Sequence, residues 1–341
     1  MATKKTVARW ILTAIVLAAG PACSSSKDPT PTNTGDGGAG GEGGSKPAPT
    51  PPSGWRAAVG AMGTLVQTFD ERSWETRTVG TNDLEAVACV GNLVGWATGS
   101  SGVVLHTEDG GRTWTGQDPG LARPLHAIRF GRLDLGIVAG DGGALAVTRN
   151  AGATWSTVVT SPASTRTLRG VAIAGAARLA VVVGDGGTLL RSTDDGATFQ
   201  IVTGLAGVED LHAVAADPAG HLVLAASASG AIWASTDRGT TFHRETTAPG
   251  ALHAVALHTS GARALAAGDD GIVLQRSEAG TWSPVSSGTR ESLRAALVPD
   301  DGSIDYVAGT RGTLLARPAG SAALVPIASG TTADLFALED L

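Results

Sequence analysis

The chain has 341 residues, 48 of them glycine, with 42% hydrophobic and 16% charged residues, which excludes a disordered polypeptide and leaves a β-rich globular one with ample length for a core. The formal charge is −6, and because the first 22 residues carry Lys4, Lys5 and Arg9 without any acid, removing them takes it to −9. A chain so acidic is not expected to bind nucleic acid.

Residues 1–22 join a basic start to an apolar run from Trp10 to Ala19, a pattern that reads as an export signal too short to span a bilayer. Gly20-Pro21-Ala22-Cys23, followed by three serines, resembles a bacterial lipobox, with Gly20 where that pattern usually has leucine. The resemblance implies that Cys23 is acylated and becomes the mature N-terminus; cleavage after Ala22 without acylation and an uncleaved anchor are the alternatives. Residues 23–54 turn to Ser, Pro, Thr and Gly with no apolar periodicity, the composition of a flexible tether. As a coil of about 31 residues it reaches on the order of 30 Å.

From residue 55 onward three landmarks recur. An apolar strand start falls at Leu84, Leu125, Leu168, Leu211, Leu252, Leu293 and Leu335, at intervals of 41, 43, 43, 41, 41 and 42 residues. A glycine-rich tight turn follows a Val/Ala-rich run in each unit, as in Gly140-Asp141-Gly142-Gly143 and Gly184-Asp185-Gly186-Gly187. The third is an octet of hydroxyl, any, Asp/Asn, any, Gly, any, Thr, aromatic: Thr107 to Trp114, Thr148 to Trp155, Ser192 to Phe199 and Ser235 to Phe242. Shorter copies end at Trp74 and Trp282, and Arg317-Pro318-Ala319-Gly320 takes its place in the last unit.

In the octet the acid or amide (Asp109, Asn150, Asp194, Asp237) can bond amides just downstream, glycine supplies positive φ, and the ring (Trp114, Trp155, Phe199, Phe242) packs into a core. These octets resemble the Asp-box, or BNR repeat, of β-propellers. In spacing and flanks the repeats are most similar to the photosystem II stability and assembly factor family, across roughly residues 55–341. The resemblance is specific to fold and weak as to function, since Asp-boxes also occur in sialidases and sorting receptors.

A period near 42 with four strands per unit predicts an all-β, seven-bladed propeller over residues 55–341. The first unit opens at Trp55 without a Leu-x-Ala strand, and Leu335 to Leu338 are such a strand with nothing following. Ring closure by the C-terminal strand in the first blade is therefore expected, leaving no long edge unpaired.

The box acids lie one per blade, which predicts a structural role rather than calcium ligation, and no metal or cofactor is expected. Cys89, in the run Ala86 to Val90, reads as a buried, unreactive thiol. A sialidase needs a tyrosine nucleophile, and the only tyrosine, Tyr306, falls in a strand expected to be buried. Trp96 and Trp233 read as core; Trp55 is open. The residue after each repeating leucine is the most informative position: Glu85, His126, Arg169, His212, His253, Arg294 and Phe336 should ring the channel mouth, with Asp83, Asp210, Asp334 and the turn aspartates Asp141, Asp185, Asp269 and Asp270 on the same face. Such a ring can be water-lined channel wall or a binding site. The reading that follows is a non-enzymatic, lipid-anchored, monomeric propeller of the bacterial envelope, at the outer membrane or cell surface, that binds an envelope protein or peptide as an assembly scaffold. The alternative is a carbohydrate-binding or glycoside-hydrolysing propeller.

Overall fold

Every repeating leucine is the first residue of a strand, and each opens a four-stranded antiparallel sheet. The computed structural model describes residues 55–340 except 92, 161–164, 206–208 and 303; residues 1–22, Cys23 and the segment 23–54 lie outside the described residues. Seven sheets are present among them. Blade 2, for example, runs from its innermost strand Leu84–Val90 through Val94–Gly99 and Val104–Thr107 to Thr115–Gln117. Blade 1 takes its innermost strand, Leu335–Glu339, from the far end of the chain, pairing Ala57 with Glu339 and Val59 with Ala337. The propeller therefore closes as expected, and strand pairing replaces what would be two open edges.

The second strand of each blade is built from small and β-branched residues, such as Leu179–Gly184 and Ala264–Gly268, fully buried along their length. Small side chains let successive sheets approach face to face. The hydrophobic core is accordingly divided into seven clusters, each between two neighbouring blades. The seam between blades 1 and 7 holds Leu335 and Leu338 from the closing strand against Tyr306 and Leu314.

Where the second strand meets its turn, the backbones nearly touch. A Cβ on Gly99 would lie 1.9 Å from the carbonyl oxygen of Asp83, and the next amide, Ser100, donates to that same oxygen at 3.0 Å. The amide-to-carbonyl bond recurs in all seven blades, for instance from Asp141 to Pro124 and from Asp269 to Ala251, and glycine stands at the crossing in six of them, with Ser227 in its place in blade 5. Glycine fits the crossing because it has no side chain to displace the neighbouring strand.

Candidate functional site: the polar ring at the channel mouth

The close crossing has a consequence for the next residue along. In blades 2 to 7 the pairing register skips one residue after the leucine, as between Leu84 and Ala86 or Leu252 and Ala254. In blade 1 Leu335 pairs with Gly60 and Ala337 with Val59. The unpaired residue is Glu85, His126, Arg169, His212, His253, Arg294 or Phe336. Each is thus the extra residue of a β-bulge, a device that re-aims a side chain out of the pleat. All seven line one open cavity of about 410 Å³ at the end of the channel.

Within this ring several members are already held. The His126 Nε2 pairs with Asp141 at 2.9 Å and the His253 Nε2 with Asp269 at 2.8 Å. The guanidinium of Arg169 donates through Nε and Nη2 to both carboxylate oxygens of Asp185. The Asp141 carboxyl lies below its usual range because of its bond to His126, aided by the Thr167 hydroxyl, against an opposing effect of burial. That of Asp269 is lowered by the Ser292 hydroxyl first, then His253, again against burial. The His212 ring stacks on that of His253 with centroids 5.2 Å apart, and its Nδ1 meets the Leu252 carbonyl at 3.0 Å. Burial lowers the pKa of His212, so its neutral form dominates near neutral pH. Burial raises that of Glu85 against the pull of His126, Arg294 and Arg169.

The aspartates that precede the leucines do a different job. Asp83 accepts the Met62 amide at 2.7 Å, Asp210 the Gly186 amide at 2.7 Å and Asp334 the Arg311 amide at 2.8 Å. Each clamps the turn of the preceding blade, at a residue with positive φ: 55° at Met62, 62° at Gly186 and 56° at Arg311. They share the face of the ring, and their role there is to join blades.

Between the third and fourth strands, the four full boxes repeat one hydrogen-bond pattern. In Ser235 to Phe242 the serine hydroxyl donates to Asp237 at 2.8 Å and accepts the Gly239 amide at 2.9 Å; Asp237 also accepts the amide and hydroxyl of Thr241 at 2.8 and 2.6 Å. Asn150 keeps the arrangement without charge, accepting the Thr154 amide and donating its own Nδ2 to the Thr154 hydroxyl at 2.9 Å. The same hydrogen-bond pattern thus forms with an amide in place of the carboxylate. Among the described residues no cluster of three or more His, Cys, Asp or Glu is placed to hold a metal.

The remaining candidates are accounted for by packing. Trp96 is fully buried, stacked between Phe130 at 3.6 Å and His106 at 4.9 Å. Trp55 is also fully buried and donates to Gln67 at 3.2 Å. Trp233 is half-buried and donates to Glu209 at 2.7 Å. Tyr306 is fully buried, and burial pushes its hydroxyl up to about 12. Cys89 is half-buried rather than enclosed, because the innermost strand of blade 2 reaches the far end of the channel there. Its thiol is pushed well above the usual value by burial and by Glu339 and Asp340, which suits poor reactivity. That far end holds a second cavity of about 240 Å³, walled by Val171, Ile173, Val214 and Leu257 and rimmed by Arg129, Glu339 and Asp340. Sequence reasoning did not single out this rim. Its residues lie where the innermost strands end, at positions no repeat landmark marks.

Residues 50–180 match the family model described as photosynthesis system II assembly factor YCF48. No curated protein matches the chain. Among solved structures, one titled "YCF48 bound to D1 peptide" aligns with a TM-score of 0.61 at 21% identity, covering 78% of this chain and 89% of that one. YCF48 from Cyanidioschyzon merolae aligns with a TM-score of 0.59 at 16% identity, covering 74% and 87%. At these identities the likeness is one of fold. Bulged ring, box chemistry and the match over residues 50–180 together make this chain a seven-bladed Asp-box β-propeller that resembles the photosystem II assembly factor YCF48.

Proposed function

We propose that this protein is a non-enzymatic docking platform for a polypeptide partner, acting as a monomer in the bacterial envelope and held at a membrane by acyl chains on Cys23. The observation that carries the docking reading is the ring itself, seven bulged side chains delivered to one cavity by a closed scaffold. A preformed concave rim binds without first ordering itself, which lowers the entropic cost of association. The structural relative at 21% identity is titled as bound to a D1 peptide, which supports a polypeptide as the kind of partner. No property of this sequence is specific to a photosynthetic membrane. A sialidase-type reaction would need an accessible tyrosine nucleophile, and the one tyrosine of the chain, Tyr306, is fully buried.

A photo-crosslinking amino acid placed at Met62, exposed on the ring face, should capture a defined polypeptide in intact cells, whereas the same group at Val159, far out on blade 3, should not. Equal capture from both positions contradicts the docking reading. For the anchor, Cys23→Ser should move the protein to the soluble fraction and abolish labelling by a fatty-acid analogue, because stable attachment needs acyl chains. Labelling that persists in the variant excludes it.

A further inference from the structure

The seven ring positions do not offer equal chemistry to a ligand. His126, Arg169 and His253 are each engaged by the aspartate of their own blade's turn, and His212 is fixed by the Leu252 carbonyl and the stacked ring of His253. Around the ring these are blades 3, 4, 6 and 5, one continuous arc. The other three positions also form one arc, because the closing strand Leu335–Glu339 lies between the innermost strands of blades 7 and 2. They are Arg294, exposed; Phe336, half-buried; and Glu85, half-buried. Among the described residues neither Arg294 nor Glu85 makes a hydrogen bond or an ion pair, although both line the same cavity.

An anion and a cation that face one cavity without meeting each other are complementary to a ligand of the opposite arrangement. Arg294 presents a planar fork that takes a carboxylate through two parallel bonds, and Glu85 takes an ammonium. Phe336 lies between them, with an aromatic face suited to the methylene stem of a lysine side chain or to the cation itself. The paired arc supplies polarity without net demand, since each of its charges is already balanced nearby.

We propose that the arc Arg294, Phe336 and Glu85 is the part of the mouth that reads its ligand, and that it selects a peptide segment carrying an acidic and a basic side chain close together in sequence, the acid on Arg294 and the base on Glu85. This rests on the docking reading and specifies what is docked. It differs from a general polar rim because it requires both signs of charge at once.

The test uses the full-length protein and four fluorescein-labelled, end-blocked octapeptides of glycine and serine. These carry one glutamate and one lysine separated by a single glycine, two glutamates, two lysines, or two glutamines. Fluorescence anisotropy at low ionic strength should show the mixed-charge peptide binding at least tenfold more tightly than the other three. Arg294→Gln should reduce it to the level of the two-lysine peptide, and Glu85→Gln to that of the two-glutamate peptide, with both variants melting as the wild type does. Phe336→Ala should weaken the mixed peptide several-fold. If the mixed peptide binds and both charge variants leave its affinity unchanged while His212→Ala/His253→Ala abolishes it, the arc is not the reader and the docking reading survives. If the peptides bind equally well, or none binds, charge selection is overturned alone; the docking reading falls only if crosslinking from Met62 also captures nothing beyond that from Val159.

Discussion

Asp334 joins the two ends of the ring. Its carboxylate accepts the amide of Arg311, in the turn of blade 7, at 2.8 Å, and its carbonyl oxygen accepts the amide of Ala61, in the turn of blade 1, at 2.9 Å. From the next residue the chain is paired inside blade 1, Leu335 with Gly60. One short stretch thus carries the lateral clamp between blades 7 and 1 and the strand that completes the sheet.

Deleting residues 335–341 should therefore do more than shorten an exposed tail. It removes the burial of Leu335 and Leu338, worth about 1.5–3 kcal/mol each, and leaves the inner edge of the strand Arg56–Gly60 open. A fall in stability of several kcal/mol is expected in chemical denaturation. The smaller change Asp334→Ala should cost about 1 kcal/mol, because it frees one amide at a solvent-exposed turn. A truncated protein that unfolds at the wild-type denaturant concentration would show that closure contributes nothing.

For the boxes, Asn150 predicts the behaviour of Asp237. Asp237→Ala removes an acceptor of several short hydrogen bonds at an exposed turn and should cost about 1–2 kcal/mol, whereas Asp237→Asn should cost much less. The hydroxyl and amide of Thr241 hold the Asp237 carboxyl at about 2, with burial opposing and Ser235 assisting. A carboxyl depressed in the folded state stabilises above its unfolded value, and that contribution is lost as the pH falls toward about 2. The gap between wild type and Asp237→Asn should accordingly narrow in acid. A gap that widens there would place the stabilisation elsewhere.

The far end of the channel has the opposite pH dependence. Burial pushes the Glu339 carboxyl up to about 7, opposed by its ion pair with Arg129 and reinforced by Asp340. A carboxyl that binds its proton more tightly when folded stabilises most below its unfolded value of about 4.5, and this contribution is lost as the pH rises through about 7. Melting temperatures measured between about pH 5 and 8 should therefore fall in the wild type and change less in Glu339→Gln. A steeper fall in the variant would contradict the assignment.

The leucine at each strand start, the glycine turns and the boxes were legible in the sequence because each answers a local demand repeated seven, seven and four times: a buried first residue, a backbone crossing, a turn with positive φ. The ring positions were legible for the same reason, as offsets from the leucine. Their pairing was not, because whether His126 meets Asp141 depends on a bulge that re-aims the side chain and on a turn 15 residues away. Nor was the inter-blade reach of Asp83, Asp210 and Asp334, which crosses to a neighbour fixed only by the closed ring. The degenerate boxes hid another long-range substitution. Arg276 and Arg317 stand where full boxes carry a hydroxyl; Arg276 binds both carboxylate oxygens of Glu245 in the preceding blade at 2.9 and 2.7 Å, and Arg317 donates to Asp305 and to Gln275. Lost local turn bonds are replaced there by buried charge pairs, within a blade and between blades, which no sequence window contains.

The ring face is the proposed binding surface, and the boxes on the outer part of the blades are proposed to be structural. A peptide selected by display against the full-length protein allows both statements to be tested in one titration series. Its dissociation constant should rise at least tenfold in the ring variant Arg294→Gln/Glu85→Gln, whose melting temperature stays near that of the wild type, and remain unchanged in Asp237→Ala, whose melting temperature falls. Unchanged affinity in the ring variant together with lost affinity in the box variant would contradict this and move the binding surface to the Asp-box edge.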